Sequence, residues 1–303
     1  MENNTQISDQ YDDEIDLREL FSVLWAGKTK IIAITAVFAI ASVIYALSVP
    51  NQYKATAILA SAQQDSGGIS GALGQLSGLA SLAGVSIGGG GSTETQVAQE
   101  IMKSWSFIEG FIEDNNLAVG LSAAEGWDVE SNELKINENV YDVDNARWLV
   151  SKPTSWALFK SFSSRLSVGP FGNSGLLTIS IEYYSPHVAK EWLDLYVVAV
   201  NKHMQERQVA KVSNNIEYLE AQIEKTSITE MQEVFYTIIE EQIKSQMLAE
   251  ASPDYAFVAV SPSMVPEEKS QPKRALICIL GTLLGGMLSV LLVLVMHYAR
   301  KSD

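Results

Sequence analysis

Two long uncharged apolar runs, one near each end of the chain, constrain its fold more than any other feature. Ile31–Val49 contains 19 residues and Ala275–Met296 contains 22 residues without a charged side chain. About 20 apolar residues in a helix cross the hydrocarbon core of a bilayer, so each run is long enough to span it. The sequence therefore predicts two transmembrane helices, with most of the chain lying between them.

The first run has an alternative interpretation as a cleaved signal peptide, with Ala46-Leu47-Ser48 as a weak cleavage site. A signal peptide has a short, positively charged leader. Here about 30 residues precede the run, and seven of them are acidic. We therefore favour an uncleaved membrane anchor.

Two spans place both chain ends on the same side of the membrane. Lys28 and Lys30 precede the first run, and Arg300 and Lys301 follow the second, which fits the cytoplasm under the positive-inside rule. The basic pair at 273–274 flanks the second run on its other side and weakens this assignment. Long domains, however, translocate largely regardless of their charge. The expected layout is a cytoplasmic segment at 1–30, a span at 31–49, an external domain at 50–274, a span at 275–296 and a cytoplasmic tail at 297–303.

The charge balance excludes some classes of partner. Residues 51–274 contain 16 Lys and Arg against 28 Asp and Glu, and the whole chain carries a formal net charge of −15. A nucleic-acid-binding protein presents a basic face, and the basic residues here do not cluster into one. We therefore expect no nucleic-acid partner.

The sequence offers little that could support catalysis. Gly84-Val-Ser86-Ile-Gly88 matches the nucleophile turn of hydrolases, but it lies in a Gly/Ser-rich tract where such matches arise by chance. That tract lacks the Lys-Ser/Thr ending of a phosphate-binding loop. His187, His203 and His297 are scattered without the spacing of metal ligands. We expect no enzyme activity, no metal and no cofactor, and the single cysteine, Cys278, cannot form an intrachain disulfide.

Hydrophobic periodicity and turn residues predict a mixed α and β domain between the spans. A proline-free and glycine-free stretch after Ser185-Pro186 predicts a helix of about 60 Å. Its middle is nearly all polar, so it should pack in an assembly or project into water. The expected elements begin with a leader helix, a strand at 53–60, a loop at 66–92 with a helical turn inside it, and a helix at 97–117. The region at 122–153 is unassigned. A strand–turn–strand at 166–184 follows, and then helices at 186–225 and 229–249 that fold back on each other. The last expected element is a strand at 255–260 that pairs with 53–60.

Three prolines stand within eleven residues just before the second apolar run, at Pro262, Pro266 and Pro272. Proline fixes its own φ and disfavours helix at the preceding residue, so this segment should be extended and semi-rigid. Lys269, Lys273 and Arg274 can meet phospholipid headgroups or the diphosphate of a lipid-linked intermediate. Ordinary anchoring at the membrane interface is the simpler interpretation of these charges.

Small residues recur at four-residue spacing in both apolar runs, which lets helices approach closely in lipid. Chance is an alternative explanation, because glycine and alanine are common in membrane spans. The predicted packing residues are Thr35, Ala39, Ser42 and Ala46 in the first run and Gly281, Gly285 and Ser289 in the second.

Three stretches resemble the bacterial chain-length determinant proteins, the Wzz-type polysaccharide co-polymerases. They are EIDLRELFSVLWAGKTKIIAI before the first span, the long-helix segment that begins YYSPHVAKEWLDLY, and SPDYAFVAVSPSMVPEEKSQPKRALICILGTLLG at the second span. Proline spacing varies within the family, and residues 100–153 match only loosely. The motif residues of the third stretch are Pro262, Pro266, Ser270, Pro272, Lys273, Arg274, Gly281 and Gly285.

The resemblance implies an α+β inner-membrane protein, in which two transmembrane helices flank a periplasmic α/β base domain with a long extended helix. It implies a ring-like homo-oligomer that sets the modal length of O-antigen or a related surface polysaccharide. Such a protein acts with a separate membrane polymerase that extends glycans on undecaprenyl diphosphate, and it catalyses nothing itself.

Two other functions remain open from the sequence. One is a two-span adaptor in a capsule or exopolysaccharide export complex, which neighbouring genes would distinguish from a regulator. The other is a hydrolase that uses Ser86, which a Ser86→Ala protein with full activity in cells would exclude.

Overall fold

The computed structural model describes residues 17–62, 90–172 and 174–302. The chain divides into two compact units. The helical unit draws on residues 1–50 and 271–303, and the mixed unit draws on residues 51–270. Each unit is described by itself below.

Helices and strands follow one another in the order that the sequence pattern predicts, with additional short elements. The described helices are α1 (Leu17–Ala26), α2 (Lys28–Ser48), α3 (Gly90–Lys103), α4 (Trp105–Asp114), α5 (Ala118–Ala123), α6 (Ser155–Ser163), α7 (Pro186–Lys225), α8 (Thr229–Ala251) and α9 (Arg274–Ser302). The described strands are β1 (Gln52–Ser61), β2 (Ala124–Trp127), β3 (Leu134–Ile136), β4 (Tyr141–Asp142), β5 (Arg147–Trp148), β6 (Leu166–Phe171), β7 (Leu176–Tyr183), β8 (Phe257–Ser261) and β9 (Lys269–Gln271).

The main sheet of the mixed unit has the strand order β6-β7-β1-β8, and β9 also pairs with β1. Its β6–β7, β7–β1 and β1–β8 pairs are antiparallel, with Ala57 opposite Ile179 and Ser61 opposite Phe257. Alternate residues of β1 and β7 point to opposite faces, and one set forms the core. That set consists of Ala55, Ala57, Leu59, Leu177, Ile179, Ile181 and Tyr183. The predicted pairing of the strand at 255–260 with the strand at 53–60 is thus confirmed.

The long helix α7 covers this sheet with its first half. Ser185 caps it, since its side chain accepts a hydrogen bond from the Val188 backbone amide, and Pro186 occupies its first turn. Its own residues Trp192, Leu193 and Tyr196 are buried in the core. The predicted boundaries of 186–225 for this helix are confirmed.

Two buried tyrosines tie the helices around the core together. The Tyr183 hydroxyl donates to the Gly120 carbonyl at 2.6 Å, and the Tyr196 hydroxyl donates to the carbonyl of Met102. The Tyr196 ring also packs edge-on against Phe111, with ring centroids 4.9 Å apart. Burial raises the pKa of both phenols well above its ordinary value, so both stay neutral and can donate.

The polar middle of α7 is less solvated than its composition predicts, because α8 and β8 pack against it. Asn201 is buried, and its Oδ1 accepts from the backbone amides of Ala256 and Phe257 at 3.0 and 2.8 Å. Its Nδ2 donates to the Phe257 carbonyl at 2.9 Å. Gln205 Nε2 reaches the carbonyl of Ala249 at 2.8 Å, near the end of α8. The predicted fold-back of the second long helix on the first is therefore confirmed.

The predicted single helix at 97–117 is wrong. Ser104 divides it into α3 and α4, because the Ser104 side chain donates to the Ile101 carbonyl and accepts from the Phe107 amide, which caps a new helix. A second break follows at Asn116, whose φ of 54° lies in the left-handed region that asparagine tolerates. The unassigned region at 122–153 contains two small two-stranded sheets. The loop and helical turn predicted within 66–92 lie mainly outside the described residues.

In the helical unit, α1 confirms the leader helix, and a turn at Gly27 separates it from α2. Two helices, Lys28–Ser48 and Arg274–Ala299, are long and apolar enough to cross a membrane. The second continues to Ser302, beyond the predicted end of the span at Met296.

Candidate functional site

The sequence-predicted residues lie in two places, one in each unit. The proline-rich segment (residues 262–272) lies in the mixed unit up to Ser270, and Ser263 holds it near its start. This side chain is buried, and its hydroxyl donates to the carboxylate of Asp194 on α7. Lys190, one helical turn earlier, contacts the other oxygen of that carboxylate at 2.5 Å. The segment is therefore anchored to the long helix.

A second anchor lies at the other end of the segment, at Ser270 in β9. Its hydroxyl is 3.1 Å from the Gln52 carbonyl and also reaches the carboxylate of Glu182 on β7. Ser270 thus links the strand just before α9 to the start of β1, the strand just after α2. A serine suits this place, because its short side chain is half-buried between two acceptors.

Between these two anchors the segment lies on the surface. Pro262 and Val265 are exposed, and Met264 is 77% exposed. Residues 262–267 form no helix, strand or turn, as the prolines predict. Pro266 is half-buried, and its ring fixes the backbone between the two anchors.

In the helical unit, the motif continues at the start of α9. Pro272 is buried, and Lys273 is exposed. The Arg274 Nε donates to the Ala46 carbonyl at 3.2 Å, and Ala46 itself is buried. This guanidinium therefore satisfies a carbonyl of the last turn of α2, which has no partner within its own helix.

The two glycines of α9 lie where α2 comes closest. A Cβ placed on Gly281 would lie 2.5 Å from the Cβ of Ser42, and one on Gly285 would overlap the Cβ of Phe38. Real Cβ atoms do not approach so closely, so only glycine fits these two positions without a shift of the helices. A Cβ on the neighbouring Gly286 would meet nothing within 4 Å.

The remaining predicted packing residues lie along the same contact. Ser289 is fully buried, and its Oγ is 3.4 Å from the Thr35 Oγ1. Ala39 is half-buried, and its carbonyl accepts a hydrogen bond from Ser42 at 2.8 Å. The structure thus places Thr35 beside Ser289 and Ser42 beside Gly281. Phe38, rather than Ala39, contacts Gly285.

Sequence reasoning missed two partners in this contact. Phe38 is large, so a search for small residues passes over it, although a glycine on one helix accommodates a large side chain on the other. Gly27 was also missed: a Cβ there would lie 2.5 Å from a methyl carbon of Val293 on α9. The signal for Phe38 was its place at i+3 from Thr35, which puts both on one helix face.

The histidines serve as ring partners in the part of the chain that the structure describes. His203 packs edge-on against Phe107, with centroids 5.2 Å apart, and His187 approaches Trp127. The described residues contain no group of three His, Cys, Asp or Glu side chains that could hold a metal ion. The hydrolase-like motif around Ser86 lies outside the described residues.

A comparison with models of protein families tests the resemblance found in the sequence. A family model described as chain length determinant protein matches residues 13–115. The resemblance to the chain-length determinant family is confirmed over these residues. They include α1, α2, β1, α3 and α4, whereas the proline-rich segment and α9 lie beyond the match.

Solved structures give weaker likenesses. A full-length bacterial polysaccharide co-polymerase is 17% identical, with 96% of this chain and 99% of that chain covered and a TM-score of 0.40. A mutant of the Shigella flexneri lipopolysaccharide O-antigen chain-length regulator is 10% identical, with 72% of this chain and 100% of that chain covered and a TM-score of 0.20. At such TM-scores neither structure supports an argument about this chain. A search of curated proteins found no match.

Proposed function

We propose that this protein is a non-catalytic regulator of the chain length of a surface polysaccharide, with lipopolysaccharide O-antigen as the first candidate. The observation that carries the proposal is the match of residues 13–115 to the chain-length determinant family. Two helices that are apolar enough to span a membrane lie near the two ends of the chain, as this function requires. The proposed lack of catalysis follows from the family resemblance.

The proposed location is the bacterial inner membrane, with the chain crossing it twice. In this layout residues 1–30 and 297–303 are cytoplasmic, 31–49 and 275–296 are the spans, and 50–274 form a periplasmic domain. The positive residues outside the two spans support this orientation. The close fit of Gly281 and Gly285 against α2 supports a paired arrangement of the spans, because small residues let helices approach in lipid.

The proposed partners are further copies of the same chain, a separate membrane polymerase, and a glycan linked to undecaprenyl diphosphate. Exposed apolar side chains along α7 and α8, such as Tyr218, Tyr236 and Met247, favour an assembly of several copies. Lys269 and Lys273 are exposed near the start of α9, where cations can meet a lipid diphosphate.

The experiment is a silver-stained gel of lipopolysaccharide from a strain that lacks this gene. The proposal predicts that a clustered ladder becomes a random, short-biased one and that the cluster returns on complementation. An unchanged ladder would exclude O-antigen as the controlled glycan. Capsule, exopolysaccharide and common antigen would then be sized in the same strains.

A complementation with Gly285→Leu tests whether the span contact takes part in this function. We expect Gly285→Leu to fail to restore the cluster, because a side chain at position 285 would overlap Phe38. Gly286→Ala should restore it, because a Cβ at position 286 meets no atom within 4 Å. Membrane levels of both variants are compared by immunoblot, so that loss of the protein is not mistaken for loss of function.

A further inference from the structure

The first strand of the main sheet, β6, has a free edge with a defined length. Glu182 donates its backbone amide to the Arg165 carbonyl at 3.0 Å, which makes these residues a hydrogen-bonded pair. In an antiparallel ladder such pairs alternate, so Leu166 and Val168 direct their N–H and C=O groups away from β7. No strand in the described part of the chain pairs with this side of β6.

Pro170 ends this open edge. In the alternation of Leu166 and Val168, Pro170 is the next residue whose backbone N–H would point away from β7, and it lies opposite Leu177. Proline, however, has no N–H. Proline on an edge strand prevents further pairing. The open edge is therefore three residues long, from Leu166 to Val168, and too short to recruit strands without limit.

A cleft of about 360 Å³ runs beside this edge. Its apolar wall includes Ile108, Phe159 and Val168. Its polar groups include Ser163, whose buried hydroxyl has no hydrogen-bond partner among the described residues, and Lys103. The ion pair between Lys103 and Glu100 is long, at 3.8 Å, and both side chains are exposed, so the Lys103 ammonium can also pair with another anion. A short edge beside an apolar cleft is the arrangement that accepts an added strand with a side chain in the cleft.

The proline-rich segment has the matching chemistry. Between Pro262 and Pro266 lie three residues with amides, of which Met264 is 77% exposed and Val265 is 39% exposed. Methionine is flexible and fills irregular apolar spaces well. Glu267 and Glu268 follow and are exposed, so they can pair with a lysine.

These two surfaces lie on opposite edges of one sheet. The segment follows β8, and β6 is the strand at the other end of the order β6-β7-β1-β8. Three strand spacings of roughly 4.8 Å separate the two edges by about 14 Å. A chain therefore cannot join its own two edges, but one copy can join its β8 edge to the β6 edge of the next. Such a head-to-tail contact closes into a ring when the rotation between copies allows it.

We infer that residues 263–265 of one copy add as a short strand to the Leu166–Val168 edge of a neighbouring copy. Met264 enters the cleft, and Glu267 or Glu268 pairs with Lys103. The inference rests on the proposed function in that it identifies the contact between copies of the proposed oligomer. It also assigns the proline-rich segment a role between copies.

The test is disulfide formation in full-length protein in native membranes, with Cys278 replaced by serine. The Met264→Cys and Val168→Cys changes are made in one chain and, separately, in two co-expressed chains. A disulfide requires Cα atoms within about 7 Å, so a bond between these positions must join two copies. We expect a ladder of covalent multimers from the double variant and a dimer only from the co-expressed single variants. A Met247→Cys and Val168→Cys chain is the control, because Met247 is also exposed but lies on α8.

The outcomes separate this inference from the proposed function. Multimers from the control pair as readily as from the test pair would overturn the inference. An absence of cross-links in a protein that is oligomeric by mass would also overturn it, and would leave chain-length regulation untouched. A protein that is monomeric in membranes and leaves glycan length unchanged on deletion would contradict both. Protection of Val168→Cys from maleimide by purified glycan, without cross-links, would assign the cleft to a sugar instead.

Discussion

Replacing Gly285 with alanine tests the packing of the two apolar helices most sharply. The added Cβ would overlap the Cβ of Phe38 and lie 2.8 Å from its Cγ. Carbon atoms in contact normally lie about 3.5–4.0 Å apart, so α2 and α9 must separate by roughly 1 Å. A change of the Phe38 rotamer cannot relieve the overlap, because the Phe38 Cβ is fixed to the helix backbone.

The expected cost follows from comparable changes in packed interiors. Inserting one methyl group into such a contact costs about 1–3 kcal/mol. This corresponds to a change of roughly 5- to 150-fold in the ratio of separated to packed helices. Gly286→Ala is the matched control, since no atom lies within 4 Å of its added Cβ. Alanine is the better helix former by about 1 kcal/mol, so the control should be neutral or slightly stabilising.

The assay uses the single cysteine of the chain, Cys278, which is half-buried on α9. Purified protein in mild detergent is titrated with SDS, and the labelling rate of Cys278 by an apolar maleimide is followed. We expect Gly285→Ala to lower the SDS midpoint relative to wild type, and Gly286→Ala to leave it unchanged or raise it. Equal midpoints for the two variants would refute the contact between Gly285 and Phe38.

Three further outcomes follow from the structure. Asn201→Leu should lower the free energy of unfolding by several kcal/mol, because each buried backbone group that loses its hydrogen bond costs about 1–3 kcal/mol. Urea unfolding of the wild type and the variant measures this difference. The folded-state pKa values of Tyr183 and Tyr196 are raised, so their contribution to stability is complete below about pH 10 and is lost as the pH rises further; an ultraviolet titration should show two tyrosines that ionise only on unfolding. In a cysteine-free background, Glu217→Cys should react with an impermeant maleimide once the outer membrane is permeabilised, while Lys30→Cys should not; the reverse pattern would contradict the proposed orientation.

Elements with a strong local signal were predictable from the sequence. The helix α7 begins at a Ser-Pro pair and contains no later Gly or Pro, so its type and boundaries follow from local chemistry. The strands β6 and β7 follow from their β-branched residues and the glycines between them. Two of those glycines, Gly172 and Gly175, adopt positive φ, as the tight connection requires.

Interactions between distant residues were not predictable in the same way. In the sequence, Asn201 is one polar residue among many. It is buried and hydrogen-bonded because the backbone of Ala256 and Phe257, at the start of β8, packs against it. The apolar spacing around Ser104 predicts one continuous helix, but the Ser104 hydroxyl competes for the backbone hydrogen bonds and begins a new helix. At the proline-rich segment, the extended shape was predictable, while the anchoring of Ser263 and Ser270 to carboxylates depends on residues 69 and 88 positions away.

The most direct test of chain-length regulation is the distribution of repeat numbers together with the total amount of polymer. Both are measured in the parent strain, in a strain without this gene and in that strain after complementation. A regulator that catalyses nothing predicts a lost mode, an unchanged total amount of polymer, and a mode restored by the wild-type gene. Loss of all polymer would contradict the proposal, since it would indicate a protein needed for synthesis or export. An unchanged distribution in every surface glycan would contradict it as well.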